Sequence, residues 1–358
     1  MLGCARTVVE PEEAESIRVL AEQPLDWEYL CKSAEKHRLT QLLFRNLTSI
    51  CPDSIPPDVQ KLLRYRFYSN AGTNLKLAHA LTGLLQLFAE RDIEVIPFKG
   101  SILANGAYGK LALRKYCDLD LFIPARDLEK SGQLLSEQGY LLHKSFDTAQ
   151  SYRHKDNGVE IDVHWGFAPR YFHLPVDFNE LYSRTRVESL LGQPVTTFSA
   201  EDLLLILCLQ VVKDSWERQQ RLEHLSKVCD IAEHLRAHPG IEWPQVIERA
   251  RKDGLQRILR CSLVLARELL GAELEPTVLN YVESDPKARK YARWLSRCLF
   301  TDADTLSPPT NSFLAMGLRF RQLSFYLGMR ERYREQFRHV VEIFRLGSMV
   351  RTRNDKLN

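Results

Sequence analysis

The stretch Tyr116-Cys117-Asp118-Leu119-Asp120-Leu121-Phe122-Ile123 decides the fold. Side chains alternate between the two faces of a strand, so the odd-numbered positions, all apolar, predict a core face. Asp118 and Asp120 share the other face. Two carboxylates this close repel each other unless a cation lies between them, and hard oxygen ligands favour Mg²⁺ or Mn²⁺. The alternative interpretation is a solvated acidic pair at the start of a strand.

A second stretch, from Val159 to Trp165, shows the same alternation. Glu160, Asp162 and His164 share one face, and the apolar residues between them share the other. A half-exposed strand with a charged outer face remains the ordinary interpretation of such a pattern. It is weakened here because two strands of one small sheet both carry acids on the polar face.

The segment Lys99-Gly100-Ser101 follows the predicted strand Glu94–Phe98 and precedes a short predicted helix, Ile102–Tyr108. Glycine allows the backbone to approach a phosphate closely. The serine hydroxyl and the amides at a helix start can then donate hydrogen bonds to that phosphate. A Gly-Ser pair alone is a weak signal. Its position before the Asp-x-Asp strand and the later strand with a third acid makes a phosphate-binding role a stronger prediction.

The chain has 358 residues, more than one compact core usually holds, which predicts two or three domains. We predict an α+β fold with three parts: an N-terminal helical region over 1–89, an α/β core over 90–198 and a C-terminal helical domain over 199–358. Outside the core, helices are predicted from Asp26, from Pro56 to Arg91, from Ser199, and over Arg221–Leu235, Trp243–Lys252, Leu255–Leu270 and most of 310–347. Within the core, Asp127–Gln138 is the predicted amphipathic helix, and strands return near Tyr152 and over Val159–Trp165.

The composition narrows the classes of partner and compartment. The net charge is +3, from 49 basic and 46 acidic residues, which does not argue for nucleic-acid or membrane binding by charge alone. The eight cysteines include no Cys-x-x-Cys pair, so a zinc knuckle is not expected. We expect the cysteines to be reduced thiols in a cytoplasmic protein. The longest apolar run, Leu203–Leu209, is too short to span a bilayer.

The order of these segments resembles that of the DNA polymerase β-like nucleotidyltransferases, and more closely a bacterial group of uncharacterised nucleotidyltransferases. The resemblance spans about residues 26–345. Its motifs are Pro97-Phe98-Lys99-Gly100, Leu113-Arg114, Asp118-Leu119-Asp120-Leu121, Gly139-Tyr140 and Ile161-Asp162-Val163-His164-Trp165. Where that group often has a histidine in the helix after the core, this chain has Gln210.

The resemblance implies a small mixed-sheet core like the polymerase β palm, and an enzyme that moves a nucleoside monophosphate from a nucleoside triphosphate, ATP by expectation, to an acceptor hydroxyl. Asp118 and Asp120 would bridge two Mg²⁺ (or Mn²⁺) ions, and Asp162 would join the ion that binds the acceptor. Gly100 and Ser101 would hold the outgoing phosphates. For Lys99 and Arg114 the resemblance implies charge neutralisation, with a plain surface cation as the alternative.

Several alternatives stay open at this point. The acceptor is a small molecule or a protein by preference, and RNA is possible. A tRNA-modifying toxin is the rival enzyme, supported only by an arginine-rich segment at 319–353 that includes Arg330, Arg332 and Arg334. A non-catalytic nucleotide-binding module of the same fold is the rival without chemistry. Lys213 and Asp230 either line the acceptor side of the cleft or lie on ordinary helix surfaces.

The adjacent acids also predict a stability effect. Replacing Asp120 with asparagine should leave stability unchanged or raised in metal-free buffer, because it removes one of two neighbouring like charges.

Overall fold

The computed structural model describes residues 1–169, 172, 174, 176–217, 222–300, 324–325 and 327–331. Its strands are β1 Ile96–Phe98, β2 Asp118–Phe122, β3 Tyr140–Ser145, β4 Ala149–His154, β5 Glu160–His164, β6 Arg186–Leu190 and β7 Gln193–Thr197. Its helices are α1 Pro11–Ala21, α2 Trp27–Lys36, α3 Thr40–Ile50, α4 Pro57–Glu90, α5 Gly100–Gly106, α6 Leu128–Glu137, α7 Phe178–Tyr182, α8 Ala200–Glu217, α9 Ser226–Ala237, α10 Trp243–Lys252, α11 Gln256–Leu270, α12 Pro276–Glu283 and α13 Pro286–Leu299.

The central sheet has five strands in the order β1-β2-β5-β4-β3. The pair β2–β5 is parallel, whereas the pairs β1–β2, β4–β5 and β3–β4 are antiparallel. The sheet is therefore mixed, and with helices on both sides of it in sequence the predicted α+β class is confirmed. A separate two-stranded sheet is formed by β6 and β7.

The apolar face of the two central strands is buried as the alternation predicted. Leu119, Leu121, Ile161 and Val163 are each at most 1% exposed and lie in one core with residues of α4 and α6. A strand that buries alternate residues must turn the others away, so the acidic positions of β2 and β5 face the opposite side. Cys117 departs from the prediction: it precedes β2 and is exposed.

Some predicted elements have shorter bounds than expected, and some elements of the structure were not predicted. The strand expected over Glu94–Phe98 is only β1, and α9 begins at Ser226 instead of Arg221. Strand β3 was not predicted, because all its residues after Tyr140 are exposed and give no buried alternation. The β6–β7 sheet also escaped prediction: its turn residue Leu191 has a positive φ of 51° without being a glycine or asparagine.

The helical regions pack directly on the sheet. The largest core contains Leu42 from the first predicted region, Phe98 from the second and Leu204 from the third. The division into 1–89, 90–198 and 199–358 stays a prediction. No helix among the described residues is long and apolar enough to cross a bilayer.

Most of the arginine-rich segment, including Arg332 and Arg334, lies outside the described residues. Arg330 is described and is fully buried. Arg330 therefore cannot contribute to the RNA-facing surface on which the rival tRNA-modifying toxin depends, because a buried guanidinium cannot meet a phosphate backbone from solution.

A buried hydrogen bond joins the small hairpin to the strand that leads into the site. The Thr197 hydroxyl donates to the Pro97 carbonyl at 2.9 Å, and Thr197 is 0% exposed. We expect Thr197→Val to destabilise the protein by about 1–3 kcal/mol, because it leaves that carbonyl without its donor. Urea denaturation measures the change. Thr196→Val, at a half-buried threonine of the same strand, is the control, and equal effects of the two variants would contradict the assignment.

Candidate active site

A cleft of about 210 Å³, open to solvent, lies over the polar face of β2 and β5. Four carboxylates line it: Asp118, Asp120, Asp162 and Asp230. Six cations line it as well: Arg38, Lys99, Arg114, Lys115, Lys213 and Lys227. The cleft thus brings together the three predicted catalytic acids and the two predicted charge-neutralising residues, Lys99 and Arg114. It also contains Lys213 and Asp230, the two candidates from the later helices.

The sheet register places the acids. Asp120 pairs with Asp162 across the parallel β2–β5 ladder, so their side chains leave the same face next to each other. Ligand atoms of Asp120, Asp162 and His164 all lie within 4.8 Å of one another. The Ser151 hydroxyl, on the neighbouring strand β4, donates to Asp162 Oδ1 at 2.5 Å. Asp118 precedes Asp120 by two residues and lines the same cleft.

The neighbouring charges affect Asp118 and Asp120 in opposite directions. Burial, with the nearby Asp120 and Asp162, raises the pKa of Asp118 to about 6, although Lys99 and Arg114 act against the shift. Burial also disfavours the charged form of Asp120. There, however, Lys99 and His164 outweigh burial and hold the pKa of the carboxyl well below its usual range. The expectation that Asp120→Asn leaves stability unchanged or raised stays a prediction, and these pKa shifts argue against it. The repulsion falls on Asp118, and removing Asp120 would leave Lys99 without its partner.

His164 lines the cleft, and the sequence gave it a face but no role. Its Nε2 lies 3.1 Å from Asp120 Oδ1. Because Asp120 is ionised it can only accept hydrogen bonds, so Nε2 carries the proton in this contact. His164 thereby fixes the orientation of the Asp120 carboxylate. The only sequence signal for this position was that His164 follows Asp162 by two residues and so shares its face of the strand.

The turn from β1 into α5 is compact and strained. Lys99 has a φ of 55°, and its Nζ lies 3.0 Å from Asp120 Oδ1. Gly100 has a φ of 34°, and a Cβ there would lie 3.3 Å from the Asp118 carbonyl oxygen. Glycine is required at this position for both reasons. Of the three residues Lys99, Gly100 and Ser101, only Lys99 lines the cleft.

Ser101 is only 1% exposed, and its hydroxyl lies 3.0 Å from the Tyr116 hydroxyl. Tyr116 in turn donates to the Asn74 carbonyl at 3.2 Å. The Tyr116 oxygen is therefore left to accept from Ser101, so the serine hydroxyl is occupied inside the protein. Any contact of this residue with a phosphate falls to its backbone amide.

Arg114 and Asp230 form a two-bonded ion pair, with both N–O distances at 2.8 Å. The Tyr108 hydroxyl also donates to Asp230, at 2.7 Å. The buried Asn74 amide donates to the Arg114 carbonyl at 2.7 Å and fixes the backbone there. Asp230 lines the cleft, as one of its two interpretations had it, and its carboxylate also holds the guanidinium of Arg114.

The wall opposite the sheet comes from helices outside the core segment. Gln210 and Lys213 of α8 and Lys227 of α9 line it, with Arg38 from the end of α2. Burial and the positive charges of Lys99, Lys213 and Arg38 lower the pKa of Lys227 to about 7, while Asp230 acts in the opposite direction. Lys227 and Arg38 were missed by sequence analysis, because each is a single cation far along the chain from the acidic motifs.

This geometry combines two capacities. Clustered carboxylates are a donor set that fits a divalent cation, since a cation relieves their mutual repulsion. A wall of lysine and arginine side chains a short distance away suits a polyphosphate. A ligand that carries both a metal ion and phosphates matches both halves of the cleft.

Comparison with known proteins agrees with this chemistry. Residues 23–271 match a family described as uncharacterised nucleotidyltransferase. No curated protein matches the chain.

Solved structures with some similarity include three nucleotide-handling proteins. The lincomycin-bound lincosamide antibiotic adenylyltransferase LnuA is 18% identical, with 35% of this chain and 82% of that chain covered and a TM-score of 0.27. An antigenic nucleotidyltransferase-like protein from Paracoccidioides brasiliensis is 17% identical, with coverage of 58% and 93% and a TM-score of 0.39. A STING-associated CdnE c-di-GMP synthase from Capnocytophaga granulosa is 14% identical, with coverage of 85% and 98% and a TM-score of 0.31. At these TM-scores the similarities support no conclusion about the chemistry of this chain.

The raised pKa of Asp118 predicts that Asp118→Asn is more stable than the wild type in metal-free buffer, by an amount that depends on pH. The carboxyl has a pKa of about 6 in the folded protein and 3.8 as its reference value, so ionisation opposes folding. Below pH 4 both states are protonated and the variant gains nothing. The gain in unfolding free energy grows between pH 4 and pH 6 and levels off above that, at about 2–3 kcal/mol.

Chemical denaturation at a series of pH values in the presence of a chelator measures this gain. Asp156→Asn, at an exposed acid in the turn before β5, is the control and should show no such trend. A variant that is less stable than the wild type at pH 8 would show that Asp118 stabilises the fold instead.

The ion pair between Arg114 and Asp230 predicts a large structural cost for Asp230→Asn. Both side chains are mostly buried, at 13% and 6% exposure, so the variant leaves a guanidinium with little water and no counter-charge. We expect a loss of about 3–5 kcal/mol in unfolding free energy. Tyr108→Phe removes only one hydrogen bond to the same carboxylate and should cost about 1 kcal/mol. Equal losses in urea denaturation would show that the ion pair is not the dominant contact.

Proposed function

Because the chain belongs to the family of uncharacterised nucleotidyltransferases, with residues 23–271 matched, we propose that it transfers a nucleoside monophosphate from a nucleoside triphosphate, ATP by expectation, to an acceptor hydroxyl. The observation that carries this proposal is the parallel register of Asp120 and Asp162, with Asp118 on the same face of the same cleft. Three carboxylates line that cleft beside a wall of cations, which is the charge pattern that a metal-bound triphosphate needs.

Asp118, Asp120 and Asp162 are the residues that would hold two Mg²⁺ or Mn²⁺ ions. When bound, the ions would stabilise the negative charge on the attacking and leaving oxygens of an in-line displacement. The donor set fits this role, because burial and the nearby Asp120 and Asp162 raise the pKa of Asp118. His164 contributes by orienting Asp120 through its Nε2 proton.

The remaining residues of the chain bind and orient. Ser151 donates to Asp162 Oδ1, which leaves Oδ2 for the cation and for the proton of the acceptor hydroxyl. Lys99 and Arg114 line the cleft and neutralise phosphate charge. Gly100 and Ser101 contribute backbone amides at the start of α5 to the outgoing phosphates, since the serine hydroxyl is held by Tyr116.

The acceptor is proposed to enter between the sheet and helices α8 and α9, where Gln210 and Lys213 form the wall. The burial of Arg330 removes one of the arginines on which an RNA acceptor depended. We therefore favour a small molecule or a protein hydroxyl as acceptor.

The test is label transfer. The protein is incubated with each α-labelled nucleoside triphosphate, Mg²⁺ or Mn²⁺, and lysate separated into small-molecule, protein and RNA fractions. We expect Asp120→Asn and Asp162→Asn to lower transfer by more than about 100-fold, and His164→Gln by about 10–100-fold, the usual loss when a residue that orients a ligand is removed. A chelator should stop transfer by the wild type.

The controls separate chemistry from folding. Asp156→Asn should transfer label at the wild-type rate, and circular dichroism should show that the inactive variants remain folded. Label in the RNA fraction would show that the acceptor is RNA instead of a small molecule or a protein. Nucleotide binding without transfer to any fraction would identify a binding module, and transfer by Asp120→Asn at the wild-type rate would refute the metal site.

A further inference from the structure

Arg38 has a backbone conformation that its residue type disfavours. It follows α2 with a φ of 60°, in the left-handed region. The Leu39 amide donates to the Ala34 carbonyl at 2.7 Å, and the Arg38 amide to the Glu35 carbonyl at 3.0 Å. These two bonds are those of a Schellman motif, in which the left-handed position is usually glycine because a Cβ is strained there.

The Arg38 side chain is the one part of this helix end that faces the cleft without a counter-charge. Within the described part of the chain it forms no side-chain hydrogen bond and has no carboxylate within 4.0 Å. Lys99 and Arg114 pair with Asp120 and Asp230, and Lys213 and Lys227 both pair with Asp214. Lys115 also has no such partner, but it is an exposed lysine on unstrained backbone, where that is ordinary.

The position of Arg38 is fixed by contacts between α2 and the start of α9. The Ser226 amide donates to the His37 carbonyl at 3.2 Å, and His224 Nδ1 lies 2.7 Å from the Lys36 carbonyl oxygen. The backbone around Arg38 is thereby held next to Lys227, on the cationic wall that faces the carboxylates. A guanidinium that is accessible, uncompensated and rigidly supported can bind a phosphate with two hydrogen bonds.

We propose that Arg38 binds a phosphate group of the substrate, and that the left-handed backbone at this residue serves to direct its guanidinium into the cleft. The proposal rests on the proposed function, in that it assumes a phosphate-bearing ligand. Two sources of that phosphate share the chemistry: the nucleoside triphosphate itself, and a phosphorylated acceptor.

The variants separate backbone strain from charge. Arg38→Gly relieves the strain and removes the charge, so it should raise the melting temperature and weaken phosphate binding. Arg38→Gln keeps the strain and should weaken binding alone. Asp92→Gly is the matched control, because Asp92 has a φ of 50° in a second Schellman motif, closed by the bonds from Asp92 to Ala89 and from Ile93 to Phe88. It should raise the melting temperature without affecting binding.

Binding is measured calorimetrically in two arms, with no turnover required. The first arm titrates ATP in the presence of Mg²⁺. The second titrates inorganic phosphate into protein saturated with a non-hydrolysable ATP analogue. A loss of about tenfold in the first arm for both Arg38 variants, equal to about 1.4 kcal/mol, assigns the residue to the nucleotide. A comparable loss in the second arm only assigns it to the acceptor.

Wild-type affinity of both Arg38 variants in both arms overturns the proposal. This failure is distinct from failure of the proposed function. Arg38 variants that bind normally while the wild type transfers label would refute only the role of Arg38. Weakened ATP binding in a protein that transfers nothing would support Arg38 and refute the transfer reaction.

Discussion

The parallel pairing of β2 with β5 places Asp120 beside Asp162, and this proximity of like charges shapes the rest of the site. A single lysine and a single histidine compensate one of the two acids on β2, whereas the other remains costly to ionise. The site is therefore stabilised unevenly before any ligand arrives. A bound cation would therefore lower the electrostatic cost of ionising Asp118 more than that of ionising Asp120.

The sequence predicted the strand pair well because parity is a local property. Whether Asp118, Asp120 and Asp162 share a face follows from odd and even spacing once two neighbouring strands are assumed, and the structure places all three in one cleft. The helices α4, α10 and α11 were predictable for a related reason, since an apolar stripe at helical spacing is also a local pattern.

The rest of the site depends on long-range contacts, which no local pattern shows. Arg38 and Lys227 meet only because the end of α2 packs on the start of α9, across almost two hundred residues of chain. Nothing around Ser101 indicates that its hydroxyl is taken by Tyr116. The uneven effect on Asp118 and Asp120 also required the structure, because it depends on which carboxylate the Lys99 ammonium reaches.

One residue of the long helix α4 supports two parts of the site that are separate in sequence. The Asn74 side chain donates to the carbonyls of Leu111 and Arg114, and the backbone carbonyl of Asn74 accepts from the Tyr116 hydroxyl, which holds Ser101. The helix spans 34 residues, about 51 Å of continuous rigid rod. The turn after β1 and the segment before β2 are thus fastened to one common support. Both segments are thus held in place by contacts that meet at one residue of α4.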